Sequence, residues 1–500
     1  MIDKGKYEHL INAFDMGTST AERDPLLPSA QILTQEFSDM VVKDRIDLVR
    51  GIKGSGKTAL YRVLNIISEN QRLEKEKKLY CIFGVEATGD PVFKKFKKDL
   101  AGFSISDFEK FWMLYFLSLI RDELNNNPSL KTIITSQEDA KSLEEFWKEL
   151  EVPYEKTTSL IKKVQNVIDR INVSAKLGVE FSPTGAVGIK PEISLQRNPL
   201  IAEYDYKEPK YVGDFRNKLC GLLKKSGFRI WILLDRLDEV FERRTKVEEN
   251  GLKGLLKVSY NLSDESLRIK IFLRDDIINQ LANSENGFTA LTHVTDRASS
   301  PMRWSKENIL YLIVKRLSAM PQIQEYYNIE SSKLEKIGYC EQCFYKVFPS
   351  KIGKYSTWDW IMNMLSDGKE IVTPRDVIDL LNIAKAIEFK QFSTNKEDKE
   401  FLITKKSLVE ALDSLSQDKK DKYLMAEFPH MKDSILKLEG KYSIYNSKSL
   451  EELFGLNWNK IVADFVSIGL LKHDAKKGWY RIPKIWIKGL KIIQGKNFDI

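Results

Sequence analysis

Cysteine and histidine are scarce in this 500-residue chain, which has four of each. So few cysteines exclude a disulfide-dense scaffold and are typical of a reducing cytoplasm. No apolar run approaches the roughly 18 residues that a membrane-spanning helix needs, and the richest, Phe111–Ile120, predicts a core helix segment instead. The first residues, MIDKGKYEHL, lack the apolar segment of a signal peptide. We therefore expect a cytoplasmic, globular protein with no membrane partner.

Charge is nearly balanced over the whole chain but not at its end. Lys and Arg number 79 against 71 Asp and Glu, a net charge of +8. Residues 472–500 carry eight basic and two acidic residues, so +6 of that excess lies there. This segment is either a solvated tail or a contact surface for DNA or another anionic partner.

The length predicts two to four domains, because single cores stop growing at about 250–300 residues. Residues 1–44 form an N-terminal lead-in, and residues 45–299 alternate strand-like and helical patterns, which predicts an α/β core with a parallel sheet. The predicted strands are Arg45–Val49, Lys78–Val85, Arg229–Leu234 and Arg268–Leu273. An insertion at 150–215 contains two alternating runs around Ser182–Gly185, which predict a β-hairpin. It could recognise a trigger, contact another copy or only decorate the core.

Helix-start signals recur along the chain. Ser106 and Glu109 have the spacing of a capping box and predict a helix to about Glu123. After the glycine turn described below, a helix carries Leu60, Val63, Leu64 and Ile67 on one apolar face. Ser305 predicts a helix to about Met320, and Thr373–Pro374 predict another.

The second half of the chain divides into two further predicted domains. Residues 300–404 are predicted to be a helical lid, and 405–500 a winged-helix-like domain. In that last domain a helix near Trp458–Ile468 precedes two short strands around a Lys-Lys-Gly turn.

The stretch LVRGIKGSGKTALYRVL, residues 48–64, carries the first chemical signal. It satisfies G-x-x-x-x-G-K-[ST] between an apolar strand and an amphipathic helix, the context that this phosphate-binding loop requires. Its glycines let backbone N–H groups turn towards phosphates, and the helix N-terminus points at them. Lys57 can reach the β- and γ-phosphates, and the Thr58 hydroxyl can bind Mg²⁺. The predicted nucleotide-binding residues are Gly51, Gly54, Ser55, Gly56, Lys57, Thr58 and Ala59.

The stretch IWILLDRLDEVF supplies carboxylates at the end of a buried strand. Asp235 could hold Mg²⁺ directly or through water. Asp238 and Glu239 follow within one turn, and either could orient the attacking water, although Asp238 could instead be a helix cap. Arg274 ends the next strand and could contact the γ-phosphate, or be an exposed turn residue. The carboxyl ends of neighbouring parallel strands lie at the same edge of a sheet. We therefore expect Gly51, Asp235 and Arg274 to lie close together at that edge.

These motifs resemble the STAND branch of AAA+-like P-loop ATPases over roughly residues 30–390. More narrowly, RGIKGSGKTAL, LLDRLDE, IFLRDDI and TPRDVIDLLN look like a group of bacterial ATPases called FunZ-type. The resemblance implies that Asp235 is the Mg²⁺-associated acid, Glu239 or Asp238 the catalytic base, and Arg274 sensor 1. It also implies a nucleotide-sensing role for Pro374 and Arg375, which a plain helix start would equally explain.

One departure is Arg236, where STAND proteins often have glycine after the first acid, so the local geometry could differ. The resemblance further implies a homo-oligomer in which a neighbour's arginine completes the site, with Arg297 and Arg303 as weak candidates. Whether an effector protein is a further partner is left open by the sequence. The expected function is an ATP- and Mg²⁺-dependent molecular switch that hydrolyses ATP slowly, in bacterial stress or phage defence.

Two other functions remain open. One is a DNA-binding regulator or DNA-processing ATPase that uses the winged helix, with Lys476, Lys477 and Arg481 on the nucleic-acid backbone. Against it, the helix NWNKIVADFVSIGLL carries Lys460 as its one cation and looks like a packing surface. The other is a nucleotide-binding scaffold that does not hydrolyse.

Two further motifs are discounted. NKED at 395–398 matches a guanine-reading motif but lies in a polar run after a helix, so we interpret it as a solvated loop and favour ATP over GTP. Cys340 and Cys343 form one C-x-x-C with no second pair, whereas a tetrahedral zinc site needs four ligands. Two buried thiols are the simpler interpretation, with a metal site as the alternative.

Overall fold

The computed structural model describes residues 1–84, 102–133, 136–149, 179–181, 187–189, 212–237, 246–282, 288 and 290–497. The described chain divides into two compact units. We call Leu33–Lys53 with Lys57–Met302 the sheet unit, and Met1–Ile32, Gly54–Gly56 and Arg303–Ile500 the C-terminal unit. No helix within the described ranges is both long enough and apolar enough to span a bilayer.

The strands, in chain order, are β1 Leu48–Gly51, β2 Leu79–Phe83, β3 Val179–Phe181, β4 Val187–Ile189, β5 Arg229–Leu234, β6 Leu267–Arg274, β7 Lys351–Ile352, β8 Tyr355–Ser356, β9 Tyr442–Tyr445, β10 Lys472–Asp474, β11 Trp479–Arg481 and β12 Ile493–Lys496. The α-helices of the sheet unit and of the N-terminal residues are α1 Lys4–Ala13, α2 Leu27–Ala30, α3 Gln35–Phe37, α4 Lys57–Glu69, α5 Arg72–Lys77, α6 Ile105–Asn126, α7 Pro128–Lys131, α8 Gln137–Glu149, α9 Val212–Ser226, α10 Lys246–Leu262, α11 Asp275–Ala282 and α12 Ala290–Thr295. Those that follow are α13 Lys306–Ser318, α14 Pro321–Tyr327, α15 Ile337–Val347, α16 Thr357–Leu365, α17 Pro374–Thr394, α18 Lys405–Lys419, α19 Lys432–Leu436, α20 Ser447–Phe454, α21 Trp458–Ser467 and α22 Lys484–Ile487.

The sheet unit is an α/β fold around a four-stranded parallel sheet, as the alternating pattern predicts. The strand order is β1-β6-β5-β2, so β6 lies between β1 and β5. Ile271 of β6 pairs with Leu48 of β1 on one side and with Leu234 of β5 on the other. Strand β5 has the predicted bounds, whereas β1 begins and ends later than predicted.

Both faces of this sheet are covered. The residues of β5 alternate between the faces, and all except Arg229 are buried. One face packs on a core that includes Phe111, Trp112 and Phe116 of α6, so the predicted core segment is confirmed. On the other face Tyr61 of α4 meets Phe272 edge-on at 5.7 Å. Leu60, Val63 and Leu64 are buried as expected, whereas Ile67 is only half-buried.

One helix start was predicted at the wrong residues. Helix α6 begins at Ile105, and its cap is Ser104, whose hydroxyl accepts from the Asp107 amide at 3.2 Å. The Asp107 carboxylate accepts from the Ser104 amide in return, which completes a capping box two residues before the predicted pair Ser106 and Glu109. The predicted caps Ser305 and Thr373 are confirmed, with Pro374 in the first turn, although α13 ends at Ser318.

The C-terminal unit has one continuous core. Residues 1–32 pack with residues 303–500, and buried side chains of α1, α13, α17 and α18 share a single apolar cluster. A second sheet has the strand order β10-β11-β9-β12, in which β11 is antiparallel to both β9 and β10. Helix α21 packs against this core through Val462 and Phe465.

Several smaller predictions can be compared with these units. Strands β3 and β4 pair antiparallel with Val179 opposite Ile189, while most of 150–215 lies outside the described residues. Residues 395–398 are exposed after α17, as expected of a solvated loop. Cys340 and Cys343 are both fully buried, and the Cys340 thiol donates to the Leu334 carbonyl. No cluster of potential metal ligands occurs in the described part of the chain.

Candidate nucleotide site

The glycine-rich loop connects the end of β1 to the start of α4. Gly51 is the last strand residue and Lys57 the first helical one. Gly54 and Gly56 have φ angles of +84° and +97°, a region that residues with a Cβ rarely adopt. The loop therefore needs glycine at both positions, and the first backbone N–H groups of α4 point back towards the loop, as at any helix N-terminus.

Lys57 turns its side chain back onto the loop. Its ammonium donates to the carbonyl oxygens of Gly51 at 2.8 Å and Ile52 at 2.9 Å. Thr58 and Ala59 follow in the first turn of α4. The loop thus has a cation at its base and a hydroxyl at the helix start, which are the two groups that bind phosphate oxygens and Mg²⁺ in such loops.

The carboxyl ends of three neighbouring strands bring the other candidate residues to this end of the sheet. Gly51 pairs with Arg274 across β1 and β6. Continuing the register of β5 by one residue brings Asp235 level with Phe272. Asp235 is 4% exposed. One strand separates the ends of β1 and β5, a distance of about 10 Å.

Arg274 and its neighbour Arg50 are both engaged with acids at the start of α11. Arg274 forms a two-pronged pair with Asp276, through Nε at 3.0 Å and a terminal nitrogen at 2.9 Å. Arg50 Nε donates to Asp275 at 3.1 Å. Arg274 is 7% exposed, so it is a buried, oriented guanidinium and not an exposed turn residue. Contact with a phosphate would add to or replace the bonds that hold this guanidinium in place.

Arg236 occupies the position at which the resemblance leads one to expect glycine. Its φ angle is +57°, in the left-handed region that glycine favours. The backbone turn after Asp235 is therefore one that glycine would adopt without strain, and here an arginine adopts it. Asp238 and Glu239, the predicted bases, lie outside the described residues.

The tip of the loop, Gly54–Gly56, belongs to the C-terminal unit and has its own contacts there. A Cβ built on Gly54 would lie 3.2 Å from Thr373 Oγ1 and 3.3 Å from Arg375 Cβ, so the loop backbone is close to the start of α17. Trp304 Nε1 donates to the Ser55 carbonyl at 2.7 Å. Ser55 Oγ is buried and has no hydrogen-bond partner among the described residues.

These contacts show where sequence reasoning was incomplete. Arg375 lies beside the loop tip, and its Nε also donates to the Ser19 carbonyl at 3.4 Å. Trp304 was not predicted, because a single tryptophan without a motif gives no signal. Arg297, a candidate for a neighbour's site, is bound within its own unit to Asp47 at 2.6 Å.

The chain is similar to known proteins in sequence and in structure, at low identity. No protein-family model matches the chain. A putative transposon gamma-delta 80.3 kDa protein of Escherichia coli (strain K12) is 24% identical over 308 residues, which are 60% of this chain and 39% of that protein. The chain therefore matches well under half the length of that relative. A solved structure of the ORC2 protein of Aeropyrum pernix, in ADPNP–ADP complexes, is also similar. The match covers 93% of this chain and 92% of the ORC2 chain, with a TM-score of 0.36 and 10% sequence identity. A TM-score this low does not establish a common fold.

Proposed function

We propose that the chain binds ATP and Mg²⁺ at the glycine-rich loop and hydrolyses ATP slowly, as a molecular switch. One observation carries the proposal: the glycine-dependent turn ending in Lys57 lies at the same end of the sheet as Asp235 and Arg274. A loop of uninvolved residues would not need two left-handed glycines, a lysine directed at its base and a neighbouring buried carboxylate.

Each candidate residue has a distinct role in this proposal. Lys57 and the N–H groups of residues 54–59 would hold the phosphates, and Thr58 with Asp235 would hold Mg²⁺. The metal supplies charge neutralisation on the phosphate oxygens. Glu239 or Asp238 would orient the attacking water, and Arg274 would respond to the γ-phosphate.

The switch itself would lie in the residues that follow the sheet unit. Pro374 and Arg375 open α17, and Arg375 is next to the loop tip, so a nucleotide could bias this helix start. We further propose that the lid (300–404) and the winged-helix-like domain (405–500) change arrangement on hydrolysis, that copies self-associate, and that an effector protein takes part in stress or phage defence.

Nucleotide binding is tested with Lys57→Ala. Loss of the charge-assisted bonds from Lys57 should weaken ATP binding about 100-fold, measured by calorimetry with Mg²⁺ present. Lys75→Ala is the matched control, because Lys75 is an exposed lysine of α5 with no role in the loop. Equal affinity of Lys57→Ala and the wild type would contradict the proposal.

Hydrolysis is tested separately with Glu239→Gln and Asp238→Asn, alone and combined. We expect one of them, or the pair, to lower ATP turnover at least tenfold while ATP affinity changes little. Unchanged turnover in all three variants would remove the proposed base and leave the non-hydrolysing scaffold as the function.

A second candidate function is DNA binding through the C-terminal domain. Its support is the β10–β11 hairpin. Lys476 and Lys477 of the turn and Arg481 of β11 are exposed, and Lys477 Nζ lies 5.3 Å from the Trp479 ring centroid. Helix α21 argues against sequence readout, since its buried face is apolar and Lys460 is its single cation. Stimulation of ATP turnover by duplex DNA, lost in the triple alanine variant of those three basic residues, would favour this function over the switch.

A further inference from the structure

A cleft in the sheet unit lies at the amino ends of β1 and β6, away from the glycine-rich loop. Its volume is about 460 Å³, within the range of small-molecule sites. Arg268, which lines it, is six residues before Arg274 along β6, so the two ends of that strand are about 20 Å apart. The cleft is therefore separate from the candidate nucleotide site.

Three arginines and two aspartates line this cleft, namely Arg216, Arg268, Arg297, Asp47 and Asp296, and a network of ion pairs extends from Asp47. We call the six residues involved the basic cluster: Arg229, Arg268, Lys270, Arg297, Asp44 and Asp47. In the described chain these four cations form ion pairs with those two carboxylates alone. Lys270 is fully buried, and the Arg268 side chain is 14% exposed. Because four cations share two carboxylates, the basic cluster has more positive than negative charge, and an anion bound beside Arg268 and Arg297 would be stabilised.

Two of the cluster's arginines line the cleft, and one has spare hydrogen-bonding capacity. Arg268 lies 3.7 Å from Asp47, too far for a hydrogen bond, and its Nε is buried with no partner among the described residues. Arg297 is bound to Asp47 and stays one-third exposed. A third lining arginine, Arg216, donates to the Leu262 and Ser263 carbonyls at the end of α10.

The mouth of the cleft adds an aromatic surface. Tyr260 is 53% exposed, and its ring stacks on His293 with centroids 5.5 Å apart and an interplanar angle of 28°. Both residues line the cleft. A ligand with a planar group could extend over them while its anionic group contacts Arg268 and Arg297.

We propose that this cleft is a second ligand site, which binds a small oxyanion, a phosphate or a carboxylate. It is independent of the proposed ATP site, so either can fail without the other.

The test uses the full chain carrying Lys57→Ala, which disables the glycine-rich loop. Pyrophosphate and citrate are titrated separately by calorimetry. Binding of pyrophosphate alone would indicate a phosphate site, and binding of citrate alone would indicate a carboxylate site. We expect single-site binding of at least one of them and a loss of at least tenfold in affinity with Arg268→Gln. Absence of binding by both probes would overturn the proposal.

Two exposed lining residues keep the test independent of folding. Asn261→Glu adds a negative charge at the mouth and should weaken binding about threefold, whereas Asp296→Asn removes one and should strengthen it by a similar factor. Asn459→Glu, the same exchange at an exposed position of α21, is the matched control. Binding that ignores Arg268→Gln and both mouth variants would place the probe elsewhere and refute the site.

Discussion

The two ends of the four-stranded sheet both carry arginine–aspartate pairs, but they differ in extent. The amino end has a network of four cations and two carboxylates, whereas at the carboxyl end the described residues form two separate pairs, of which Arg50–Asp275 spans 225 residues and Arg274–Asp276 is local. At the carboxyl end Arg274 pairs with Asp276, two residues later. At the amino end Arg297 pairs with Asp47, which is 250 residues away. The first pair forms within one strand–helix turn, and the second requires the complete sheet unit.

This difference suggests different functions for the ion pairs at the two ends. A pair made within one turn adds little to the tertiary fold and can exchange partners when a ligand arrives, which suits a phosphate-sensing residue. The pairs at the amino end connect three segments: the residues before β1, the strand β6 and the segment after α12. They therefore hold distant parts of the unit together. We therefore expect substitutions in the amino-end network to change stability, and substitution of Arg274 at the carboxyl end to change catalysis.

Lys270→Met should have the largest effect on stability. The buried ammonium donates to Asp44, Asp47 and the Ile46 carbonyl at 2.7–2.8 Å, and it lies 4.1 Å from the Trp231 ring centroid. Its loss leaves two half-buried carboxylates with fewer partners and should lower the free energy of unfolding by about 3–5 kcal/mol. Urea denaturation followed by circular dichroism measures the change.

Lys246→Met is the control for this prediction. Lys246 is an exposed lysine of α10 whose pair with Glu249 spans 3.4 Å, and its loss should cost less than about 0.5 kcal/mol. If Lys270→Met unfolds no more easily than Lys246→Met, the amino end does not hold the unit together.

Arg274→Gln and Arg50→Gln separate catalysis from pairing at the carboxyl end. Both arginines lie on neighbouring strands and bind the acids that open α11. If Arg274 stabilises the γ-phosphate in the transition state, Arg274→Gln should lower ATP turnover about 100-fold, with ATP affinity nearly unchanged. Arg50→Gln should change turnover less than threefold. Equal losses in steady-state assays of the two variants would mean that Arg274 acts through structure alone.

The carboxyl end could be predicted from sequence because its signals are local. The glycine spacing before Lys57, the apolar run before Asp235 and the position of Arg274 after another apolar run each lie within a few residues. Parallel strands then align these three points without any knowledge of the strand order. The buried bounds of β5 followed from the same kind of signal.

The amino end could not be predicted in this way. Asp47 lies more than 200 residues before Arg268 and Arg297, and ordinary charged residues in a sequence give no sign of which of them will meet. The error at α6 has a different cause, since SISDFE offers two overlapping capping boxes, Ser104–Asp107 and Ser106–Glu109, and spacing cannot choose between them. Similarly, the sequence shows arginine at 236 but not its backbone angle.

Asp264, just before β6, gives the amino end a pH dependence. Burial raises the pKa of this carboxyl, but hydrogen bonds from Lys224 and Ser266 outweigh it and lower the pKa from 3.8 to about 2. Because the folded pKa is depressed, the stabilisation is present above about pH 4 and is lost as the pH falls towards 2. The stability difference between wild type and Asp264→Asn should therefore shrink by about 1–2 kcal/mol between pH 5 and pH 2.5 in urea titrations. A difference independent of pH would contradict this ion pair.

Substitution of Arg236 should have the smallest effect on stability. It tests the carboxyl end without removing any charge pair at the amino end. At φ +57° an arginine or an alanine is strained, whereas glycine is not. Both variants lose the arginine side chain. Comparing Arg236→Gly with Arg236→Ala therefore isolates the effect of backbone conformation on the free energy of unfolding. Glycine costs more entropy on folding, so we expect it to be more stable than alanine by only about 0.5–1 kcal/mol in urea denaturation. An alanine variant as stable as the glycine variant would mean that the turn after Asp235 relaxes once the arginine is gone, and that the arginine side chain itself holds the left-handed conformation.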